Sequence, residues 1–428
     1  MKLSQYIYSF LLSMTLSIAS FAQSSTDYKL VFDKTDVGSG AIKVRCDFTI
    51  DFNGKDSLIL DFGGNLEEES VAELSIKSNK VRYDFCPDKK TICFHKNKKD
   101  RMKVSMEYVF MNLTSVLMYG NSGAEIWESF YTSSGEFYYP IDRGNIYSGR
   151  VRFIVPDSLE VVSSASKNPE RWHKIKQMVP LNFAFLDKTL YEKVSIDSER
   201  SFDVYQVIGK QADTTRISEL KDLTTKAMKW FETKFGESFV NPDLGTYTYP
   251  TFVFHEGNSS FNRYNMGFIS ASQKKFSTYP DIYPLIHEIG HRWFGEYTMF
   301  IESGEKGYAF IIETLNEFMT LMCIRDIIGV EEYECIIRKY REEWEKIKGT
   351  SLDIHPIEIT EINNIPVTYR KGPVMLDEAA RKVGYEKFVS SIVDYYKTHK
   401  GQRDLEFHDI VNFDSFCTIN APAPKFSA

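Results

Sequence analysis

The sequence has no excess of positive charge, no internal repeat and no low-complexity tract. Its 52 Lys and Arg residues are outnumbered by 59 Asp and Glu residues, and the formal net charge is −7 at pH 7. This balance gives no reason to expect nucleic acid as a partner. With 43% hydrophobic and 26% charged residues, the composition is that of a soluble globular protein able to bury a sizeable core. The length predicts two or three domains.

Long apolar runs are also lacking. Residues 6–18 are mostly apolar, but serines interrupt this run and it is too short to favour an uncleaved membrane helix. Lys2 precedes it, and a Ser-Phe-Ala sequence ending at Ala22 offers the small residues that signal peptidase recognises. We therefore predict a signal peptide over residues 1–22 and export to the periplasm or the extracellular space, without stable membrane insertion. No cysteine stands at the cleavage point, so a lipid anchor is not indicated.

Cysteine is scarce, with six residues in the chain, and oxidation is plausible in an exported protein. Cys86 and Cys93 flank a short Pro-Asp-Lys-Lys-Thr-Ile loop between two strand-like segments. This arrangement predicts a disulfide between them. The other cysteines cannot be paired from sequence.

Short segments between residues 23 and 207 alternate apolar with polar side chains, and turn-forming residues separate them. Clear examples are residues 41–50, 102–110 and 149–155. Because a period of two is that of a half-buried strand, we predict an antiparallel β-domain over residues 23–207.

The pattern changes in the second half of the chain. Apolar residues at helical spacing predict a helix over residues 215–234. Strand-like segments follow at Thr246–His255 and Phe261–Ala271, and another helix is predicted to begin at Tyr283. We therefore predict a second, mainly helical domain over residues 208–428.

His287 and His291 stand four positions apart in this last helix. Residues at this spacing leave the same helix face one turn apart, so both imidazoles can bind one metal ion. Glu288 directly follows the first histidine, which places its carboxylate beside the metal, where it can take a proton from water. Two imidazoles and one further carboxylate are the ligands of a catalytic zinc site whose bound water has a pKa of about 7.

The third ligand is expected on a following helix. Residues 308–328 form a long apolar segment with only a few carboxylates, of which Glu313 and Glu317 are the candidates.

These motifs resemble those of the gluzincin aminopeptidases, the family of aminopeptidase N and leukotriene hydrolase. The family's H-E-x-x-H-x-W-F-G is matched by residues 287–295, and its L-N-E-G by Leu315-Asn316-Glu317 followed by Phe318. The resemblance implies an N-terminal β-domain, a thermolysin-like catalytic domain with one zinc ion, and a peptide or protein substrate. It also implies His287, His291 and Glu317 as zinc ligands and Glu288 as the catalytic base.

The spacing to the third ligand departs from that family. Eighteen residues usually separate the second histidine from the glutamate, whereas twenty-five separate His291 from Glu317. An insertion around Glu302–Gly307 absorbs this difference, because loops tolerate added length at low cost. Glu313 remains the alternative ligand.

A strand before the zinc helix bears on substrate choice. Members of the family carry a Gly-Ala-Met-Glu-Asn segment there, whose glutamate holds the free amino group of the substrate. Here Asn265 and Gly267 agree with the family, but Tyr264 replaces the glutamate. A neutral phenol cannot make a charge-assisted contact with an ammonium group. The strand backbone can still pair with an extended peptide, and Glu256 is a candidate substitute anchor.

The run Tyr369-Arg370-Lys371-Gly372 resembles the family's Tyr-x-Lys-Gly segment, which implies that Tyr369 stabilises the tetrahedral intermediate. A tyrosine of pKa about 10 stays protonated at neutral pH and can donate to an oxyanion.

Full-length relatives carry a further helical domain, and a chain without it is expected to have a more open cleft for longer or internally cleaved substrates.

Three classes of function follow. The family resemblance favours an aminopeptidase. Tyr264 favours an endopeptidase, or another peptidase that does not require a free amino terminus. A catalytically silent peptide-binding protein is the third alternative, and protein that holds zinc but cleaves nothing would indicate it.

Overall fold

The structure is a computed structural model of the 428-residue chain. It describes residues 27–33, 35, 41–61, 71–76, 82–86, 91–111, 139–141, 147–165, 171–178, 183–195, 202–209, 214–255, 263–265, 268–272, 283–295, 299, 304–360, 364–402 and 405. The predicted signal peptide, Glu256 and Gly267 lie outside these residues.

Sixteen strands fall within the described residues. In chain order they are β1 (Asp27–Asp33), β2 (Ala41–Asp51), β3 (Ser57–Asp61), β4 (Val71–Ile76), β5 (Arg82–Cys86), β6 (Thr91–His95), β7 (Arg101–Met111), β8 (Tyr147–Ile154), β9 (Leu159–Ser163), β10 (His173–Met178), β11 (Phe183–Asp187), β12 (Tyr191–Ser195), β13 (Asp203–Val207), β14 (Thr251–His255), β15 (Arg263–Asn265) and β16 (Phe268–Ser272).

The first half of the chain is built on a six-stranded sheet in the order β10-β8-β1-β2-β7-β4. Alternation explains why these segments form strands: along β2 the apolar side chains of Ile42, Val44 and Cys46 are buried, and Lys43 and Arg45 between them are exposed. Strand β2 pairs antiparallel with β1 and β7, as predicted, but β1 and β8 run parallel. The prediction of an antiparallel domain is therefore wrong at this pair, because alternation in sequence carries no information on strand direction.

The predicted Cys86–Cys93 disulfide is not formed, and both residues are free thiols. They lie on paired strands β5 and β6, but Cys93 stands opposite Asp84, and Cys86 stands opposite Thr91. The two cysteines are therefore diagonal neighbours, about 7–8 Å apart in an antiparallel pair, which is too far for a disulfide without backbone movement.

A five-stranded sheet in the order β12-β13-β14-β16-β15 begins the second half. Strand β13 pairs parallel with β14, and β15 stands at the end of this order, at the edge of the sheet that the described residues form. The domain boundary predicted between residues 207 and 208 falls between the paired strands β13 and β14. The segment assigned to the β-domain thus supplies two strands of the second sheet.

Helices make up most of the rest. They are α1 (Thr214–Phe235), α2 (Tyr283–Gly290), α3 (Leu315–Ile327), α4 (Val330–Glu345), α5 (Gly372–Val383) and α6 (Tyr385–His399). The first two confirm the helices predicted from residue 215 and from Tyr283. A π-helical turn runs into α3 at Phe310–Thr314, and another runs into α5 at Val367–Lys371. Among the described residues, no helix is both long enough and apolar enough to cross a membrane.

Aromatic side chains in the core of the second half pack against the segment that follows α2. Phe231 and Phe235 of α1 stack on the ring of Trp293, with centroids 5.0 and 5.5 Å away. Trp293 lies three residues after the last residue of α2 and is fully buried. This aromatic packing fixes the end of the helix that carries the histidine motif.

Candidate metal centre

Helix α2 positions both histidines. His287 lies inside the helix, and His291 lies in the turn that follows Gly290, where its N–H still donates to the carbonyl oxygen of His287 over 3.3 Å. The helical spacing therefore extends to His291, and the two imidazole centroids are 4.7 Å apart.

Glu313 is the carboxylate that reaches both histidines. Its Oε2 lies 3.1 Å from Nε2 of His287 and 3.5 Å from Nε2 of His291. It stands in the π-helical turn Phe310–Thr314, and its side chain is buried. Such turns are rare and occur frequently at functional sites.

Glu317 occupies the opposite side of His287. Its Oε2 lies 2.6 Å from Nδ1 of His287, and its Oε1 accepts a hydrogen bond from the hydroxyl of Tyr340 over 2.5 Å. The structure therefore does not place the predicted ligand Glu317 with the two Nε2 atoms. Glu313 and Glu317 are one helical turn apart, so both reach the same histidine, and each contacts a different ring nitrogen.

Charge and burial oppose each other in this cluster. Burial lowers the pKa of His287, but hydrogen bonds with Glu313 and Glu317 outweigh it and raise this pKa well above its ordinary value. Burial dominates at His291, whose pKa is lowered. Burial raises the pKa of Glu313, but the charges of His291 and His287 outweigh it and lower this pKa to about 2. Glu313 is therefore an ionised carboxylate at neutral pH.

Glu288 and Tyr369 lie next to this cluster. Glu288 is buried on α2, next to His287 in sequence. Tyr369 stands in the second π-helical turn, and its ring centroid is 5.7 Å from that of His287. Burial, followed by the nearby carboxylates Glu313 and Glu288, raises the pKa of Tyr369 well above its ordinary value. Its phenol is therefore a permanent donor at neutral pH.

Close backbone approach explains both glycines of the histidine motif. A Cβ at Gly290 would lie 2.1 Å from Oδ1 of Asn316, whose Nδ2 donates to the carbonyl oxygen of His287 over 2.9 Å. A Cβ at Gly295 would lie 2.4 Å from the carbonyl oxygen of His291. Neither position has room for a side chain, so the two glycines let α3 and the following turn close around the histidines.

The segment after the histidines is anchored from two directions. Nδ1 of His291 lies 3.0 Å from the carbonyl oxygen of Phe294, a contact that leaves Nε2 facing Glu313. Arg292 is fully buried, and its Nε donates to the carbonyl oxygen of Phe239 over 2.7 Å. The histidine orientation thus depends on backbone contacts as well as on the helix.

The cluster fits a zinc ion. One donor atom each from His287, His291 and Glu313 lies within 4.8 Å of the others. Ligand atoms at about 2.0 Å from one tetrahedral zinc ion stand roughly 3.3 Å apart, which agrees with the two Nε2–Oε2 separations of 3.1 and 3.5 Å. Two imidazoles and a carboxylate are also donors that zinc accepts in catalytic sites.

The predicted substrate-binding residues are only partly described. Tyr264 and Asn265 lie on the edge strand β15, opposite Ile269 and Phe268 of β16.

Sequence reasoning missed the residues behind the metal cluster. Tyr340 on α4 contacts Glu317, and Arg370 covers the ring of Tyr340 at 4.3 Å from its centroid. Tyr340 belongs to no motif, and Arg370 stands at the variable position of the Tyr-x-Lys-Gly segment. The one available signal is the spacing of Tyr333, Ile337 and Tyr340, which marks the inward face of α4.

No protein-family model and no curated protein matches the sequence. Solved structures do match. Yeast LTA4 hydrolase in complex with bestatin superimposes with a TM-score of 0.64 at 13% identity, over 94% of this chain and 67% of that one. A mutant of an M1 zinc metallopeptidase from Deinococcus radiodurans superimposes with a TM-score of 0.62 at 12% identity, over 95% and 96%.

The fold is therefore that of the M1 zinc metallopeptidases. It agrees with the expectation of a β-domain followed by a helical region with a histidine motif.

Proposed function

We propose that this chain is an exported zinc metallopeptidase. The observation that carries the proposal is the buried cluster of His287, His291 and Glu313, with Glu288 beside it on α2. The fold shared with M1 zinc metallopeptidases supports it. Export rests on the predicted signal peptide.

In this proposal His287, His291 and Glu313 hold the metal. Glu317 orients His287 through its contact with Nδ1. Zinc bound there would polarise the carbonyl of the scissile bond and acidify a water. Glu288 accepts the proton of the attacking water and returns it to the leaving amine. The hydroxyl of Tyr369 donates a hydrogen bond to the oxygen that becomes negative in the transition state.

The substrate is proposed to be a peptide bound in extended form. Strand β15 is an edge strand of the described sheet, and an exposed edge can add a peptide as a further strand through backbone hydrogen bonds. This mode places few demands on side chains. An aminopeptidase-like activity follows if another group holds the free amino terminus.

A second candidate is a peptidase that does not require a free amino terminus. Tyr264 stands where the resembling family has its amine-binding glutamate, and a phenol offers no charge for an ammonium group.

Cleavage of matched peptides separates these candidates. Each peptide is offered with a free and with an acetylated amino terminus to zinc-loaded protein, with Glu288→Gln as the control. Release of single residues from the free form alone supports an aminopeptidase. Internal cleavage of both forms supports the second candidate. No cleavage of either form by protein that holds zinc contradicts both and favours a silent peptide-binding protein.

A further inference from the structure

A chain of contacts runs from His287 to the surface of α4. Glu317 links His287 to Tyr340, with one carboxylate oxygen toward each. The guanidinium of Arg370 lies over the Tyr340 ring, and its Nε donates to Glu343 over 2.6 Å. Three elements that are separate in sequence, α3, α4 and the second π-helical turn, therefore meet behind one imidazole.

The contacts fix Glu317 in two ways. A carboxylate that receives a hydrogen bond on each oxygen has little freedom to rotate, so its Oε2 stays directed at Nδ1 of His287. A histidine held at Nδ1 presents Nε2 to a metal in a fixed direction, and such outer contacts typically change metal affinity about 10–100-fold.

Arg370 connects this chain to the other side of the site. Its Nη1 donates to the carbonyl oxygen of Tyr369 over 3.0 Å. The same side chain therefore contacts the ring that holds Glu317 and the backbone of the proposed oxyanion donor. Glu343 in turn holds the guanidinium from α4.

We infer that Tyr340 and Arg370 are positioning residues that act through Glu317 to orient His287 for metal binding. This inference rests on the proposed zinc site and extends it to α4, an element outside the sequence motifs. Neither residue is among the proposed metal ligands.

The test compares two tyrosine variants that lose the same atom. Tyr340→Phe removes the hydroxyl that contacts Glu317. Tyr385→Phe is the matched control, because the Tyr385 hydroxyl also donates to a carboxylate, that of Asp377, over 2.8 Å. Zinc dissociation constants are measured by competition with a chelator, and the unfolding temperature of each metal-free protein is recorded.

We expect Tyr340→Phe to raise the zinc dissociation constant about 10-fold or more, and Tyr385→Phe to change it less than about twofold. Because Tyr340 acts through Glu317, Tyr340→Phe should raise the zinc dissociation constant by a much smaller factor in a Glu317→Gln background than in the wild-type background. The visible spectrum of the Co²⁺-loaded protein should also differ between Tyr340→Phe and wild type, which a loss of stability alone would not produce.

Each outcome decides something. If the wild-type protein binds no zinc, that result contradicts both the proposed function and this inference. If the wild-type protein binds zinc and Tyr340→Phe binds it with equal affinity, only the inference is contradicted. Equal losses in the two tyrosine variants, or full additivity with Glu317→Gln, would show a general effect on folding and contradict the positioning role.

Discussion

Oγ1 of Thr314 donates a hydrogen bond to the carbonyl oxygen of Thr368 over 2.7 Å. This buried contact joins the two π-helical turns that precede α3 and α5. One turn carries Glu313 and the other carries Tyr369, so the proposed metal ligand and the proposed oxyanion donor are held together by neighbouring residues.

The first prediction concerns the space between these turns. A Cβ at Gly372 would lie 2.4 Å from Cγ2 of Thr314, so Gly372→Ala should overpack the junction and lower stability by about 1–3 kcal/mol. Thr314→Ser removes Cγ2 and should partly restore the Gly372→Ala protein in denaturant unfolding. The control is Thr320→Ser, which changes another buried threonine, on α3, and should not restore the stability of the Gly372→Ala protein. Equal behaviour of the two serine variants would contradict the packing argument.

Glu288→Gln tests the proposed base. The amide keeps the shape of the side chain but cannot accept the proton, so kcat should fall about 10²–10⁴-fold while the zinc content stays at the wild-type level. Steady-state kinetics and elemental analysis on the same preparation measure both. Glu305→Gln, at an exposed position, should behave as wild type. Normal turnover in Glu288→Gln would rule out this role.

Tyr369→Phe tests the proposed oxyanion donor. Because the hydroxyl is expected to act on charge that develops only in the transition state, kcat should fall about 10²–10³-fold with little change in KM. Tyr385→Phe is again the control. A change confined to KM would place Tyr369 in substrate binding instead.

Metal removal should destabilise the protein. A ligand that binds only the folded state adds about 2.7 kcal/mol at a free concentration 100-fold above its dissociation constant. Chelation should therefore lower the melting temperature of the wild-type protein in calorimetry. His291→Ala should lose the metal, and its melting temperature should not respond to the chelator. An unchanged zinc content in His291→Ala would contradict this ligand assignment.

The sequence predicts the parts of the fold that depend on local pattern. Alternation identifies β2, and helical periodicity identifies α1, because burial on one face imposes those periods. Strand direction at the β1–β8 pair and the diagonal placement of Cys86 and Cys93 depend on tertiary register, which no local pattern encodes.

The site shows the same limit. The spacing of His287 and His291 suffices to predict that the two imidazoles lie next to each other. The choice between Glu313 and Glu317 does not follow from spacing, because residues one turn apart reach the same imidazole. The match to the family's L-N-E-G motif led to the prediction of Glu317 as the third ligand. In the structure, the π-helical turn directs Glu313 to the Nε2 atoms of both histidines.

The most direct test is the crystal structure of the zinc-loaded protein, with anomalous scattering recorded at the zinc absorption edge. The account predicts one anomalous peak bonded to Nε2 of His287, Nε2 of His291 and the carboxylate of Glu313, with Glu317 still at Nδ1 of His287. A peak bonded to Glu317 in place of Glu313, or no peak at these residues, would contradict it.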